Sequence, residues 1–227
     1  TENIETQTDV EISNDSVSPT GTGGEEVSVS DPGLVYLYHL NGNLEEATGN
    51  GQTLYSRNPV ESRIYKYGKF SEAINFIGVG ADTTAPYTNA LAAIKDSGQF
   101  TFAFWVKVFE KEGMGTVFRN LPGIGQFNLK NANNYSWAMN ISDAEGHAQL
   151  VVGDLPIEEN IWHHYALVYD TETQELQVYF DGERKGVSIR SHLWKDGPLD
   201  LKLELAEDTE ILIGPNSWEK ANYALDE

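Results

Sequence analysis

The sequence predicts an all-β chain, a two-sheet antiparallel sandwich preceded by an extended acidic N-terminal arm. Three observations carry that expectation. Short apolar stretches alternate with polar residues at a period of two, turn signals such as Asn41-Gly42 and Asp181-Gly182 separate them, and only Asn89 to Lys95 has helical character. At 227 residues the chain is the size of one large β-sandwich domain. The division expected is an acidic, Ser-, Thr- and Gly-rich arm or linker over residues 1–33 and one domain over 34–227.

The elements follow in chain order. Leu34-Val35-Tyr36-Leu37-Tyr38-His39-Leu40 alternates and stops at Asn41-Gly42. Ala73 to Ile77 is a short strand closed by Gly78. In the stretch from Phe100 to Phe109, Phe100, Phe102, Phe104, Val106 and Val108 form an unbroken apolar face, and Thr101, Ala103, Trp105 and Lys107 a mixed one, the pattern of a central strand. Gly115–Arg119, Gln126–Leu129, Ser136–Ile141 and Ala148–Val152 read as further strands. Trp162–Tyr169 and Leu176–Phe180 form a hairpin, Asp181-Gly182 marks a tight turn, and Glu210–Ile213 adds one more strand. The expected core holds the alternating face of 100–108 with Leu167, Val178, Phe180, Ile211 and Ile213.

Charge and composition narrow the function. Fifteen Lys and Arg stand against 35 Asp and Glu, a net charge of −20, which argues against nucleic-acid or anionic-membrane binding. No apolar run approaches the ~20 residues of a membrane span. The chain has no cysteine, hence no disulfide framework, no thiolate metal site and no cysteine nucleophile. That suits an intracellular origin or a bacterial or viral exterior equally. Residues 1–33 contain eight acids, no Lys or Arg and no aromatic residue, too little apolar area to offset ordering entropy alone. The segment lacks the basic start and apolar stretch of a signal peptide. Thr1 suits an unsecreted start from which the initiator Met was removed, and a trimmed signal leaves the same residue. Val10, Ile12, Val17, Val27 and Val29 are the arm's apolar points, and Val27-Ser28-Val29 alternates like a strand suited to pairing with an exposed edge.

Trp162-His163-His164-Tyr165-Ala166-Leu167-Val168-Tyr169-Asp170, followed by Leu176-Gln177-Val178-Tyr179-Phe180-Asp181-Gly182-Glu183, resembles the signature hairpin of laminin-G-like, concanavalin A-like lectin/glucanase domains. Leu40 to Gly51, Ala73–Phe76, Phe100–Val106, Ile211–Gly214 and Leu225–Glu227 resemble other segments of that family in the same order. The resemblance runs from about Leu34 to Glu227. It implies a jelly roll of two curved sheets. It also implies that the Asp226-Glu227 pair opens a last strand beside the first, so that either the sequence is cut short or the first strand has an unpaired edge that another chain must cover. Where the family usually has an Asp that helps bind calcium, Asn41 stands. The resemblance thus implies a weak calcium site at most, at Asn41 and Asp226, with no cofactor required.

No catalytic constellation is present. A retaining glucanase needs two carboxylates ~5–5.5 Å apart, and no Glu-x-Asp-x-Glu or Glu-x-Asp-x-x-Glu run occurs. The acids of Glu204 to Glu210 scatter over both faces. His163 and His164, adjacent on a strand, point to opposite faces and so cannot chelate one metal together. There is no nucleophile elbow, phosphate loop or zinc motif, and a non-enzyme is expected. For glycan binding the candidates are the aromatic residues Trp194, Trp218, Tyr87 and Tyr135, in loop-like, Asn- and Ser-containing surroundings suited to stacking a pyranose. Two functions compete, and the first of them is the one expected. One is a structural or decorating protein of a phage virion head or tail, displayed on its surface and held to other subunits by the arm. The other is a lectin-like carbohydrate-binding module of an extracellular or bacterial cell surface.

Overall fold

The computed structural model describes residues 28–51, 53–56, 64–79, 83–86, 99–110, 115–121, 124–129, 137–142, 148–153, 157–170, 175–185, 188–192, 210–214 and 220–226. Among them every regular element is a strand. An eight-stranded sheet runs β1 (Tyr55–Ser56), β4 (Thr83–Pro86), β14 (Glu210–Ile213), β6 (Thr116–Leu121), β7 (Ile124–Leu129), β8 (Trp137–Ser142), β9 (Ala148–Gly153) and β13 (Ser188–His192). A seven-stranded sheet runs β12 (Glu183–Lys185), β11 (Glu175–Phe180), β10 (Trp162–Asp170), β5 (Gln99–Val108), β15 (Lys220–Asp226), β3 (Glu72–Val79) and β2 (Ile64–Tyr67). All pairings are antiparallel. The expected two-sheet antiparallel jelly-roll sandwich is the fold.

Strand β5 earns its central place by alternation. Phe104, Val106 and Val108 are buried, and Phe100 and Phe102 pack against the same core half-covered. Register sets Phe104 opposite Tyr165 and Phe102 opposite Leu167 on β10, and Val106 opposite Leu225 on β15. Phe104 lies parallel to Tyr165, centroids 5.6 Å apart, and edge-on to Phe118 and Phe127 of the other sheet at 6.3 and 5.8 Å. Phe118 and Phe127 stack on each other at 5.3 Å. Such geometries each add to the area they bury. Leu167, Val178 and Phe180 are buried as expected, Ile213 packs against the core half-covered, and the side chain of Ile211 lies outside the described residues.

The Tyr223 hydroxyl of β15 donates to the Thr116 carbonyl of β6 and ties the two sheets together. Tyr165 has no such partner. Its hydroxyl is the one buried side-chain polar atom among the described residues without a hydrogen bond, and burial, then the charge of Asp181, raises its pKa far above the ordinary phenol value. A buried unpaired hydroxyl costs ~1–3 kcal/mol. Tyr165→Phe is therefore expected to stabilise the fold by about 1 kcal/mol, read as a higher denaturation midpoint. A loss of stability instead means the hydroxyl has a partner.

Three expectations are corrected. Leu34 to Leu40 joins neither sheet, because its backbone bonds go to a local loop. The Leu37 N–H donates to Glu46 Oε1 at 2.9 Å, the Ala47 N–H to the Leu37 carbonyl, and the Thr48 hydroxyl to the Val35 carbonyl. Second, Asp226 does not open a strand but closes one. Asp226 ends β15, which lies between β5 and β3 in the middle of its sheet, with Tyr223 and Leu225 turned into the core. Third, Ser28 and Val29 form no strand. The Ser28 N–H donates to Asp31 Oδ2 and the Asp31 N–H to the Ser28 carbonyl, closing a turn that leaves Val29 exposed. Val10, Ile12, Val17 and Val27 lie outside the described residues, as does the helical candidate Asn89 to Lys95.

Glu46 organises the loop that replaced the first strand. Besides Leu37 it accepts from the Thr48 N–H and hydroxyl and from the Gly51 N–H. Burial pushes its pKa up, and these donors outweigh burial, leaving it below the ordinary 4.5. A carboxylate with a depressed folded pKa gives stability that is complete above the unfolded value and lost as pH falls through the folded one. Wild-type protein should thus lose unfolding temperature between about pH 5 and pH 3 more steeply than Glu46→Gln. Parallel pH curves for the two would remove Glu46 from that role.

Candidate functional site

The outward face of the seven-stranded sheet carries unusual chemistry for a surface. Alternation that turns Phe104 and Tyr165 inward turns Trp105 and Lys107 of β5, Trp162 and His164 of β10, and Ala224 and Asp226 of β15 outward. These positions form rows across the strands. Ala224, Lys107 and Trp162 make one, Asp226, Trp105 and His164 the next, then Ala103, Ala166, Tyr179 and Arg184, and finally Thr101, Val168 and Gln177. The first two rows are bulky and the last two small at their centre.

The bulky end is a second apolar cluster, separate from the main core. Trp105 is 7% exposed and Trp162 5%, packed with Ala73 and Ala224 and flanked by Phe70 and Phe109. Phe70 meets Trp105 edge-on at 6.1 Å, and Trp105 lies 5.1 Å from the His164 ring. Two lysines cover these rings: Lys69 Nζ stands 4.5 Å from the Trp105 ring centre, and Lys107 Nζ lies 5.0 Å from Trp162 and 5.4 Å from Phe109. At these distances an ammonium is attracted to the ring face. Burial lowers the Lys107 pKa, and burial likewise lowers that of His164, with Asp181 pulling the other way.

A tight turn aims Lys69 and Phe70 at Trp105. The Gly68 N–H donates to the Ser71 carbonyl, and Asp226 Oδ2 accepts from the N–H of Lys69 at 2.6 Å and of Phe70 at 3.4 Å. Gly68 is required there, since a Cβ would lie 2.5 Å from the Glu72 backbone and 2.6 Å from Asp226 Oδ2. On the other flank Asp181 holds β10. Its carboxylate bonds His163 Nδ1 and the His164 N–H, both at 2.8 Å. Because the Glu158 N–H donates to His163 Nε2, Nδ1 carries the ring proton given to Asp181. His163 is packed inward under Phe180 and His164 faces out, the opposite-face placement expected for the pair. Asp181 and Gly182 both have positive φ, 49° and 78°, as a two-residue hairpin turn demands.

At the small end the surface opens. Thr101 and Ala103 are exposed, and Ala166 and Val168 half-buried, forming a shallow floor. Tyr179, its hydroxyl donating to Gln177 Oε1 at 2.7 Å, borders the floor, and Trp105 with His164 makes a step at its end. A few apolar side chains with convergent hydroxyl, amide and imidazole groups are the ingredients of a small-ligand site.

The sequence candidates fall elsewhere. Trp194, Trp218, Tyr87 and Tyr135 lie outside the described residues. Asp226 is 3% exposed, with one oxygen committed to two backbone amides. Among the described residues no group of three or more His, Cys, Asp or Glu gathers to hold a metal. The outward face escaped the sequence reading, although the mixed odd positions of 101–107 were its visible trace.

Two antiparallel sheets over one aromatic core, with polar and aromatic groups arrayed on an outward sheet face, define a lectin-type β-sandwich. A family profile, that of the concanavalin A-like lectin/glucanases superfamily, matches residues 80–221, more than half of the chain. The chain belongs to that superfamily. No curated protein sequence matches it. Among solved structures, the binding domain of botulinum neurotoxin DC in complex with SialylT superposes with a TM-score of 0.58 at 10% identity, covering 88% of this chain and 48% of that one. The botulinum neurotoxin type C structure, whose cell entry is described as dependent on two ganglioside molecules, gives 0.56 at 10%, covering 85% and 46%. The same DC binding domain with rat synaptotagmin II gives 0.52 at 11%, covering 85% and 47%. This chain spans about half the length of those structures, and at such identity the likeness is one of fold.

Proposed function

We propose that the chain is a non-enzymatic glycan-binding module whose ligand lies across the outward face of the seven-stranded sheet. The observation that carries this reading is the step on that face, where the Trp105–His164 row drops to the open Thr101, Ala103, Ala166 and Val168 floor beside Tyr179. A sugar ring has an apolar face and a hydroxyl edge, and this arrangement offers a surface for each. The structural neighbours lend support, being described as binding domains with ganglioside, SialylT or protein ligands. The non-enzyme reading draws on the described outward positions of β5 and β10. Their only carboxylate is that of Asp170, which accepts from Gln99 Nε2; on neighbouring β15 Asp226 is buried and holds the Lys69 and Phe70 amides, and hydrolysis by the usual route needs two facing carboxylates. A defined glycan array tests the proposal: bound glycans should be lost on Ala103→Trp, which fills the floor. Binding untouched by that change moves the site off this face, and turnover of a bound glycan overturns the non-enzyme reading.

No metal is required in this proposal. Calcium and chelator should leave the unfolding temperature the same, and a rise of several degrees with calcium would restore a calcium site.

A second reading keeps the place in an assembly. The acidic, aromatic-free segment 1–33 suits an arm on a basic protein scaffold such as a virion, with the sandwich displayed on its surface. Deleting residues 1–30 should leave thermal unfolding of the sandwich nearly unchanged and abolish incorporation into the assembly. Unfolding of the sandwich on deletion removes this reading, and a module displayed on a cell surface is then the setting that stays.

A further inference from the structure

We infer that the glycan bound on this face is acidic, its carboxylate received by Lys107; the inference rests on the glycan-binding reading above. In a chain of net charge −20, with 35 acids against 15 Lys and Arg, a lysine finds a carboxylate easily. Among the described residues no carboxylate pairs with Lys107, and its ammonium lies against the rings of Trp162 and Phe109. It is half-buried in the middle of the sheet, opposite Ala224 on one side and Trp162 on the other.

Burying a cation without a counter-charge costs free energy, which ring faces offset only in part. An arriving carboxylate offsets the rest, and a charge-assisted bond of this kind is stronger than one between neutral groups. The low-dielectric flank of two aromatic rings strengthens the attraction further. Burial lowers the Lys107 pKa for the same reason, and a bound carboxylate would raise it again. Free phosphate or sulfate would also meet a lone ammonium, but an anion carried on a sugar also brings rings suited to the neighbouring floor.

Distance fits the pairing. Lys107 and Ala103 are four residues apart on one face of β5, about 13 Å at ~3.3 Å per residue. That span suits an oligosaccharide with its charged end at Lys107 and its neutral rings over Ala103 and Ala166.

The experiment compares four immobilised probes on the whole chain: sialyllactose, lactose, a galacturonic-acid oligomer and its methyl ester. Each is tested at low and high salt against wild type, Lys107→Met and Lys107→Arg. The expected result is at least about tenfold preference for an acidic probe over its neutral counterpart, weakened by salt. Lys107→Met, which keeps the apolar stem, should erase the preference with an unchanged circular dichroism spectrum, and Lys107→Arg should keep most of it. Preference for sialyllactose alone, or for the galacturonic oligomer alone, identifies the source of the carboxylate and supports the inference. Equal binding of acidic and neutral probes, or a preference that survives in Lys107→Met, overturns it while leaving the glycan-binding reading intact. Absence of binding to every sugar, on a wider array as well, overturns that reading and this inference with it.

Discussion

Phe104→Ala is expected to destabilise the sandwich by about 3–5 kcal/mol, the range for deleting a buried aromatic side chain. Phe104 sits on a strand hydrogen-bonded on both sides, to β10 and to β15, so the backbone has little freedom to collapse into the space left. The ring lies parallel to Tyr165 and is touched edge-on by Phe118 and Phe127. Its removal therefore uncovers both sheets together. Phe102, on the same face and half-covered, should cost less when cut back to alanine. The measurement is a denaturant midpoint at unchanged slope, which separates lost stability from a changed unfolded state. A loss below about 1 kcal/mol is a surface value and would mean that the packing around Phe104 is wrong.

Phe104 was legible from the sequence for the reason that makes it sensitive. Five apolar residues at strict period two in 100–108 leave one way to orient the strand. The β10–β11 pairing was legible as well, through alternation on both arms, and Asp181-Gly182 gave the turn after it through its need for positive φ. Strand β15 was not. Lys220–Asp226 reads Lys-Ala-Asn-Tyr-Ala-Leu-Asp, with only Tyr223 and Leu225 as large apolar residues and no β-branched one. It is a strand because β3 and β5 offer ladders on both its edges, a tertiary fact that local composition does not carry. Leu34 to Leu40 failed in the opposite direction. Its alternation is that of a strand, but Glu46 takes the Leu37 N–H, and a side-chain acceptor nine residues away displaced the ladder. The outward face was legible only as residue types. Trp105 and Lys107 stand on a mixed face, yet what closes over Trp105 comes from a turn around Lys69 that is fixed by a carboxylate 157 residues further on.

That carboxylate yields the second large effect. Asp226→Ala is expected to cost about 3 kcal/mol, since a buried N–H left without its acceptor costs ~1–3 kcal/mol and Asp226 serves two. The Lys69 N–H, at 2.6 Å, should account for most of the loss and the Phe70 N–H, at 3.4 Å, for less. Asp226→Asn keeps an amide oxygen as acceptor and should fall between wild type and Ala. Gly68→Ala attacks the same turn from the other side, because its Cβ meets the Glu72 backbone and Asp226 Oδ2 at 2.5 and 2.6 Å. All three changes should loosen Lys69 and Phe70 from Trp105, so tryptophan fluorescence should shift red as water reaches the indole. Unfolding in denaturant, with and without calcium, separates this structural role from the metal role that the family resemblance implied. A loss equal in both conditions assigns Asp226 to holding the turn. A loss seen only with calcium present would make it a metal ligand, and the amide contacts would then be incidental to how this end of the face is built.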